Sequence, residues 1–396
     1  VDWCSPSCVP EVVSTALAAQ SAWDDQGALA RADVLDQMAD LMESERAELM
    51  ALCAREAGKS VRDGVAEIRE AIDFCRYYAA QARAGLAHAV TLPGPTGELN
   101  QLFYRGRGLF VCISPWNFPL AIFVGQVAAA LVTGNAVIAK PAPQTSLMGT
   151  LAVELFHRAG VPKGVLHCVP GGGDLGAALT SQCEVDGVAF TGSTETARLI
   201  AQSLLDREAP LATLIAETGG QNAMIVDSSA LPEQVIKDVI SSAFLSAGQR
   251  CSALRVLCLQ EDIADGMIEM LKGAMAELRL GRPELLSSDI GPIIDEQQLS
   301  MLESHAETLR QSATLIAEAP TPSDLPAGHW FAPKAFEIQS IEKLGREVFG
   351  PILHVVRFKA KSMPALIEQI NATGYGLTLG IHSRIDRVQS EIASRA

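Results

Sequence analysis

Positive charge is scarce in this chain: 31 Lys and Arg stand against 46 Asp and Glu, for a formal net charge of −15 and a pI near 5.0. Nucleic-acid binding draws its affinity from basic groups that neutralise phosphates, so the balance argues against a general nucleic-acid binder. A disulfide framework is also missing, since 9 cysteines scattered over 396 residues fit reduced thiols better. Cys4 and Cys8 have the spacing of half a zinc site. No second close pair of Cys or His completes it, and the 7 histidines show neither metal spacing nor a clear triad, so no metal is expected. The serine-hydrolase elbow G-x-S-x-G is absent, as are internal repeats and low-complexity stretches. No continuous apolar run reaches the roughly 20 residues that a membrane span needs. Residues 108–139 carry no charge, yet Pro115, Asn117, Pro119 and Gln126 interrupt them and Thr133-Gly134-Asn135 breaks them, so a buried helix leading into a buried strand is the better reading. The chain opens at Val1 with neither an initiator Met nor a basic-then-apolar leader, which reads as part of something longer without a secretory signal. The expected compartment is the cytoplasm.

Hydrophobic residues make up 48% of the sequence, ample for sizeable cores, and the length favours two lobes over one. Apolar positions recur at three and four through residues 11–84, which predicts helices over 11–23, 29–58 and 60–83, the second stopped by Gly58. The run 85–106 changes character around PGPTG and suggests a projecting strand or hairpin. From Gly108 onward GLFVCIS, AVIAK, VLHCVPG and GVAFTG alternate with helical stretches near 118–132, 145–159, 174–181 and 194–205. Such alternation predicts a parallel sheet covered on both faces. A second series follows from Asn222, with strands NAMIVD, RVLCLQ, ILHVVRF and LTLGIHS and helices over 231–247 and 262–279.

Two residues near the junction of these series suggest covalent chemistry on a carbonyl. Cys251 lies in AGQRCSALR among small and polar neighbours, where a thiol is less like an inert core cysteine, and Arg250 beside it would favour the thiolate. Glu217 ends the apolar strand LATLIAE before Thr-Gly-Gly, so its carboxylate emerges where a backbone can approach a ligand and can accept a proton or activate a water. Asn117, held between two prolines in SPWNFP, offers an amide to an oxyanion. Lys140 ends strand AVIAK and can hold a ribose hydroxyl or a phosphate. The run FTGST, 190–194, joins a strand to a helix whose free amides suit a pyrophosphate, although the three-glycine dinucleotide fingerprint is lacking. PGGGD at 170–174 reads as a turn.

SPWNFP, AKP, FTGST, Glu-x-Gly-Gly at 217–220, GQRC and EVFGP occur in one order across residues 114–351, and together they resemble the aldehyde dehydrogenase superfamily. More narrowly, ISPWNFPLAIFVGQVAAALVTGNAV, LIAETGGQNAMIVDSSALPEQV and SAGQRCSALRVLCLQ resemble the dehydrogenase part of proline-utilization proteins, which join a proline dehydrogenase to an L-glutamate γ-semialdehyde (pyrroline-5-carboxylate) dehydrogenase. The resemblance implies an α/β fold with a Rossmann-type NAD-binding domain (1–85 and 107–219), a small projecting oligomerisation hairpin (86–106) and an α/β catalytic domain (220–396). It implies that Cys251 attacks the aldehyde to give a thiohemiacetal, with the oxyanion held by Asn117 and the Cys251 amide. Oxidation by NAD then leaves a thioester, and Glu217 activates the water that releases glutamate. Lys140 would bind the adenosine ribose, Gly192 and Ser193 the pyrophosphate, and Glu347 the nicotinamide ribose. Ser114, Trp116, Gly219 and Phe349 would line the cofactor cleft. Phe118 and Phe244 would line the aldehyde channel, and Arg250 and Ser252 would meet the substrate's α-carboxylate.

Three departures from the family pattern bear on this reading. Pro143 replaces the glutamate that normally contacts ribose hydroxyls and disfavours a 2′-phosphate, so NAD is expected with NADP less securely excluded. Ala197 stands where many relatives have a glycine. The family's later Pro-Phe-Gly-Gly segment and carboxylate-anchoring loop do not occur before Ala396, and neither does a proline dehydrogenase barrel, so FAD is not assigned to these residues. The expected partners are a small-molecule substrate, a proline dehydrogenase domain in the same full-length polypeptide and a second copy of the chain, with no membrane span. The alternatives are another semialdehyde dehydrogenase and a truncated NAD-binding module.

Overall fold

The computed structural model describes residues 3–396 and divides by contacts into two units, the residues up to Ala57 with Gly64–Thr218, and Gly58–Asp63 with Gly219–Ala396. The first unit opens with helices α1 (Val9–Asp24), α2 (Gly27–Ser44), α3 (Arg46–Ala57) and α4 (Val61–Gly85). The single helix expected over 29–58 is thus two: Glu45 leaves the helical region at φ −102 and ψ 16, and Met38 and Met42 before it share a core with Leu49 and Cys53 after it. Gly58 ends α3 with φ +64, a left-handed value that glycine adopts without steric cost. The segment around PGPTG forms an antiparallel hairpin of β1 (Val90–Leu92) and β2 (Asn100–Leu102) with exposed apolar residues on and beyond it.

The centre of the first unit is a five-stranded, all-parallel sheet. Its strands are β3 (Leu109–Ile113), β4 (Ala136–Lys140), β5 (Leu166–Cys168), β6 (Val185–Thr191) and β7 (Thr213–Glu217), in the order β5-β4-β3-β6-β7. Connecting them are α5 (Ala121–Val132), α6 (Ser146–Arg158), α7 (Gly173–Thr180) and α8 (Thr194–Leu205). Alternate side chains of β3, β4 and β6 enter opposite cores. Cys112, Val137, Ala139 and Ala189 join one, while Val111, Ile113, Ile138, Val188 and Phe190 join the other. Burial on both faces explains why β4 reads as a continuous apolar run. The uncharged stretch after Gly108 is β3, then α5 leading into the buried strand β4, and the 12 residues of α5 rise about 18 Å, well short of a bilayer core. Among the described residues no helix is long and apolar enough to cross a membrane. PGGGD is only partly a turn, since α7 begins at Gly173.

The second unit carries a six-stranded sheet. In chain order it has β8 (Ala223–Val226), α9 (Pro232–Phe244), β9 (Val256–Gln260), α10 (Glu261–Ala276), α11 (Glu296–Ser312), β10 (Thr314–Glu318), β11 (Lys334–Glu337), β12 (Ile352–Phe358), α12 (Met363–Ala372), β13 (Leu379–His382) and α13 (Asp386–Arg395). The sheet order is β10-β11-β12-β9-β8-β13, parallel except for β10. The helix expected over 231–247 stops at Phe244, and the chain then turns left-handed at Ser246 (φ 55) and Ala247 (φ 53). Segment 58–63 is counted with this unit because Gly58 lies against Pro292 and Asp63 against the turn at Ser246.

Candidate active site

In the first unit the strand order reverses between β3 and β6, and ligands of open α/β sheets bind outside the carboxyl ends of strands at such a switch point. Four sequence-predicted groups lie at those strand ends. Ser114, Trp116, Asn117 and Phe118 follow β3, Lys140 closes β4, Gly192 and Ser193 follow β6, and Glu217 closes the edge strand β7 with an exposed carboxylate. Ser114 donates its amide to the Lys140 carbonyl at 3.2 Å, and Gly192 donates to the Glu217 carbonyl at 3.1 Å, so neighbouring turns are tied to one another. Asn117 is buried, and its loop is fixed from behind by Glu67, a residue that motif reading misses. One Glu67 carboxylate oxygen accepts the amides of Leu120 (2.9 Å) and Ala121 (2.8 Å) at the start of α5, where a negative charge also suits the helix dipole.

Lys140 is buried, which pushes its ammonium below the ordinary lysine value, with Asp174 in the first turn of α7 opposing the shift. Its Nζ donates to the Pro141 carbonyl at 3.2 Å. Ser193 caps α8, its hydroxyl accepting the Thr196 amide at 3.1 Å, so the first turn of that helix is aimed at the same edge. At the switch point Gln126 donates to the Ile113 carbonyl and to Thr191 Oγ1, while its own buried Oε1 has no hydrogen-bond partner. A buried cation, a capped helix start and an orphaned acceptor on one sheet edge fit the polyol and phosphate chemistry of a dinucleotide. Pro143 opens a short helical turn there and presents no carboxylate.

In the second unit Cys251 sits on a half-buried loop, four of whose carbonyls are held by side chains. Asn222 Nδ2 donates to the carbonyls of Cys251 (2.6 Å) and Ala253 (2.9 Å), and Arg255 takes those of Gly248 (2.8 Å) and Arg250 (3.0 Å). With the carbonyls turned away, the amides of Ser252 and Cys251 itself bond the thiol and favour its ionised form. Burial outweighs them, so the thiol is raised above its ordinary value. The effect is harsher on cysteines without such donors: burial pushes Cys112 and Cys258 up to about 12.

Arg250 does not act on the thiol as its position in sequence suggests. Its Nη2 donates to Asp63 at 2.7 Å and its Nε to Ser246 Oγ at 3.2 Å, and the cation that favours the thiolate is Arg255. Arg255 escapes motif reading because it is a single charge in an apolar strand, RVLCLQ. Ser252 is exposed beside Cys251, and Phe244 is wholly buried in the core of this unit. Glu347 is partly buried and raised above the ordinary carboxylate range by burial, against the pull of Arg255 and the Gly220 amide. A Cβ on Gly219 would overlap that carboxylate, which gives the Glu-x-Gly-Gly glycine a steric reason. Phe349 lies under the Arg255 guanidinium, 5.2 Å from ring centroid to Cζ.

The model of the aldehyde dehydrogenase family matches residues 1–395. The chain belongs to the aldehyde dehydrogenase family. Among curated aldehyde dehydrogenase relatives, it is 47% identical to the bifunctional protein PutA of Escherichia coli over 99% of its own length and 29% of that protein's. It is 34% identical to the 1-pyrroline-5-carboxylate dehydrogenase of Anoxybacillus flavithermus, over 93% of this chain and 72% of the relative. A solved Bradyrhizobium japonicum proline utilization A variant superposes with a TM-score of 0.98 at 50% identity, covering 100% of this chain and 40% of the other. The chain therefore spans less than a third of the length of the Escherichia coli protein. Aldehyde dehydrogenases use NAD or NADP, and the edge chemistry of the first unit fits either.

Proposed function

We propose that this chain oxidises L-glutamate γ-semialdehyde, the open form of pyrroline-5-carboxylate, to L-glutamate with NAD, in proline catabolism. The observation that carries the reading is the Cys251 loop, where two amides face the thiol while the carbonyls of Gly248, Arg250, Cys251 and Ala253 are held by Arg255 and Asn222. The Cys251 thiol gives up its proton to solvent and its sulfur bonds the aldehyde carbon, and the oxygen, now an anion, is held by the Cys251 amide and the Asn117 side chain. NAD, when bound, supplies the two-electron acceptor that turns this thiohemiacetal into a thioester. Glu217 takes a proton from the water that attacks the thioester, which releases glutamate and returns the thiol. Lys140 and Ser193 hold the adenosine ribose and pyrophosphate, Glu347 the nicotinamide ribose, and Ser114, Trp116, Gly192, Gly219 and Phe349 complete the cofactor's surroundings. Phe118 and Phe244 shape the aldehyde channel, with Arg250 and Ser252 towards the α-carboxylate. The hairpin of β1 and β2, with Leu99, Phe103 and Tyr104 exposed, is the surface through which two copies associate. A proline dehydrogenase domain belongs to the same longer polypeptide.

The reading is tested by NADH formation with glutamate semialdehyde, succinate semialdehyde and simple aliphatic aldehydes. Glutamate semialdehyde is expected to give the highest kcat/KM, and Cys251→Ala to abolish turnover while leaving NAD binding largely intact. A better substrate among the others overturns the substrate assignment. NAD binding with no aldehyde-dependent NADH from the unmutated chain makes it a binding module.

A further inference from the structure

Arg255 is 1% exposed immediately before β9, a strand that is apolar except for Gln260. Burying a guanidinium costs several kcal/mol unless its donors are satisfied, and here all five N–H groups find acceptors. Nε and one Nη2 hydrogen donate to Glu347 Oε1 at 3.3 and 3.1 Å, and the other Nη2 hydrogen to the Arg250 carbonyl at 3.0 Å. Nη1 donates to the carbonyls of Gly248 at 2.8 Å and Gly350 at 2.9 Å. These acceptors fall into two groups. Gly248 and Arg250 precede the nucleophile, while Glu347 and Gly350 belong to the EVFGP loop. The backbone of Arg255 is fixed in turn. Its amide donates to the Asn222 carbonyl, and its carbonyl accepts His354 Nδ1–H at 2.9 Å. That bond sets the His354 tautomer, so its Nε2 accepts from His305 Nε2–H at 3.0 Å.

We propose that Arg255 is a positioning residue for the nucleophile, tying the Cys251 loop to the Glu347 loop and setting the reactivity of the thiol through its balance with the Glu347 carboxylate. The proposal rests on Cys251 being the nucleophile. Lysine could not replace this fork, since an ammonium offers three donors from one point and cannot span four acceptors on two loops. The same geometry makes the charges oppose one another at the thiol: Glu347 disfavours the thiolate and Arg255 favours it. Removing either charge alone should therefore shift the reactivity in opposite directions.

The test is the pH profile of iodoacetamide alkylation at Cys251, followed by peptide mapping on the whole chain without aldehyde or cofactor. Arg255→Gln is expected to move the midpoint up by about one unit, Glu347→Gln to move it down, and the double variant to return it towards the starting value. A packing role alone would lower the melting temperature without these opposite shifts. Shifts in the same direction, or none, overturn the proposal. Should Arg255→Gln not fold, the downward shift in Glu347→Gln remains decisive, and its absence overturns the proposal. Because alkylation needs no substrate, inactivity of the unmutated chain towards glutamate semialdehyde would defeat the functional reading separately.

Discussion

Replacing Asp63 with alanine tests whether the left-handed turn before Cys251 is held from outside. Asp63 Oδ1 accepts from Arg250 Nη2 at 2.7 Å, and Oδ2 accepts from Ser60 Oγ at 2.8 Å and the Ser246 amide at 3.2 Å. Ser246 and Ala247 occupy the left-handed region at φ 55 and 53, which disfavours each L-residue by about 1–2 kcal/mol. Such a turn persists only while its surroundings over-determine it. The alanine variant leaves the Ser246 amide buried without its acceptor, a loss of about 1–3 kcal/mol. The Arg250 side chain is 24% exposed and can turn towards water, so breaking its ion pair adds only about 1 kcal/mol. The expected total is about 3 kcal/mol, or roughly 6–12 °C in the melting of a unit of this size. Calorimetry measures it, since it separates units that melt independently. Relaxation of the turn displaces the thiol, and turnover should fall by about tenfold or more, because small misplacements of reacting groups are that costly. Asp63→Asn retains one acceptor oxygen and should lose about half as much stability. A melting temperature within about 1 °C of the parent, with unchanged turnover, would refute the argument.

Two further outcomes follow from the same site. Burial holds the Cys251 thiol above its ordinary value, so the thiolate is the minor species at neutrality and its alkylation should rise about tenfold per pH unit between about 7 and 9; a plateau already reached near pH 7 contradicts this. Pro143→Glu places a carboxylate on the exposed turn after Lys140, which should raise the NAD over NADP ratio of kcat/KM by about tenfold through repulsion of the 2′-phosphate; an unchanged ratio rules out that contact.

What could be read from the sequence was whatever is encoded within a few neighbouring residues. β4 and β6 were visible as short β-rich runs because a strand buried on both faces has no polar face to hide it. Lys140 and Glu217 stood out because each is a charge ending an apolar run, and a parallel sheet delivers strand ends to one edge. The break at Glu45 was not visible, since neither Gly nor Pro marks it and the apolar period continues through Leu49. Nor was the turn at Ser246 and Ala247, because neither residue favours a positive φ; only Gly248, at φ 62, follows the ordinary rule. What imposes that conformation lies far away in sequence, with Asp63 183 residues before Ser246.

The misassigned cation shows the same limit most sharply. Arg250 adjoins Cys251 in sequence and Arg255 does not, but a side chain acts where its donors point. Arg250 is turned to Asp63, while Arg255 returns along the strand to the carbonyls of Gly248 and Arg250 and meets Glu347, 92 residues further on. A charge enclosed by an apolar strand must find acceptors or destabilise the fold, so the informative signal was the arginine in RVLCLQ. Its obligation to be satisfied makes it more constraining than the partly exposed arginine beside the thiol. On the proposed reading, the motif marks the nucleophile, and the buried charge just after it marks what holds that nucleophile in place.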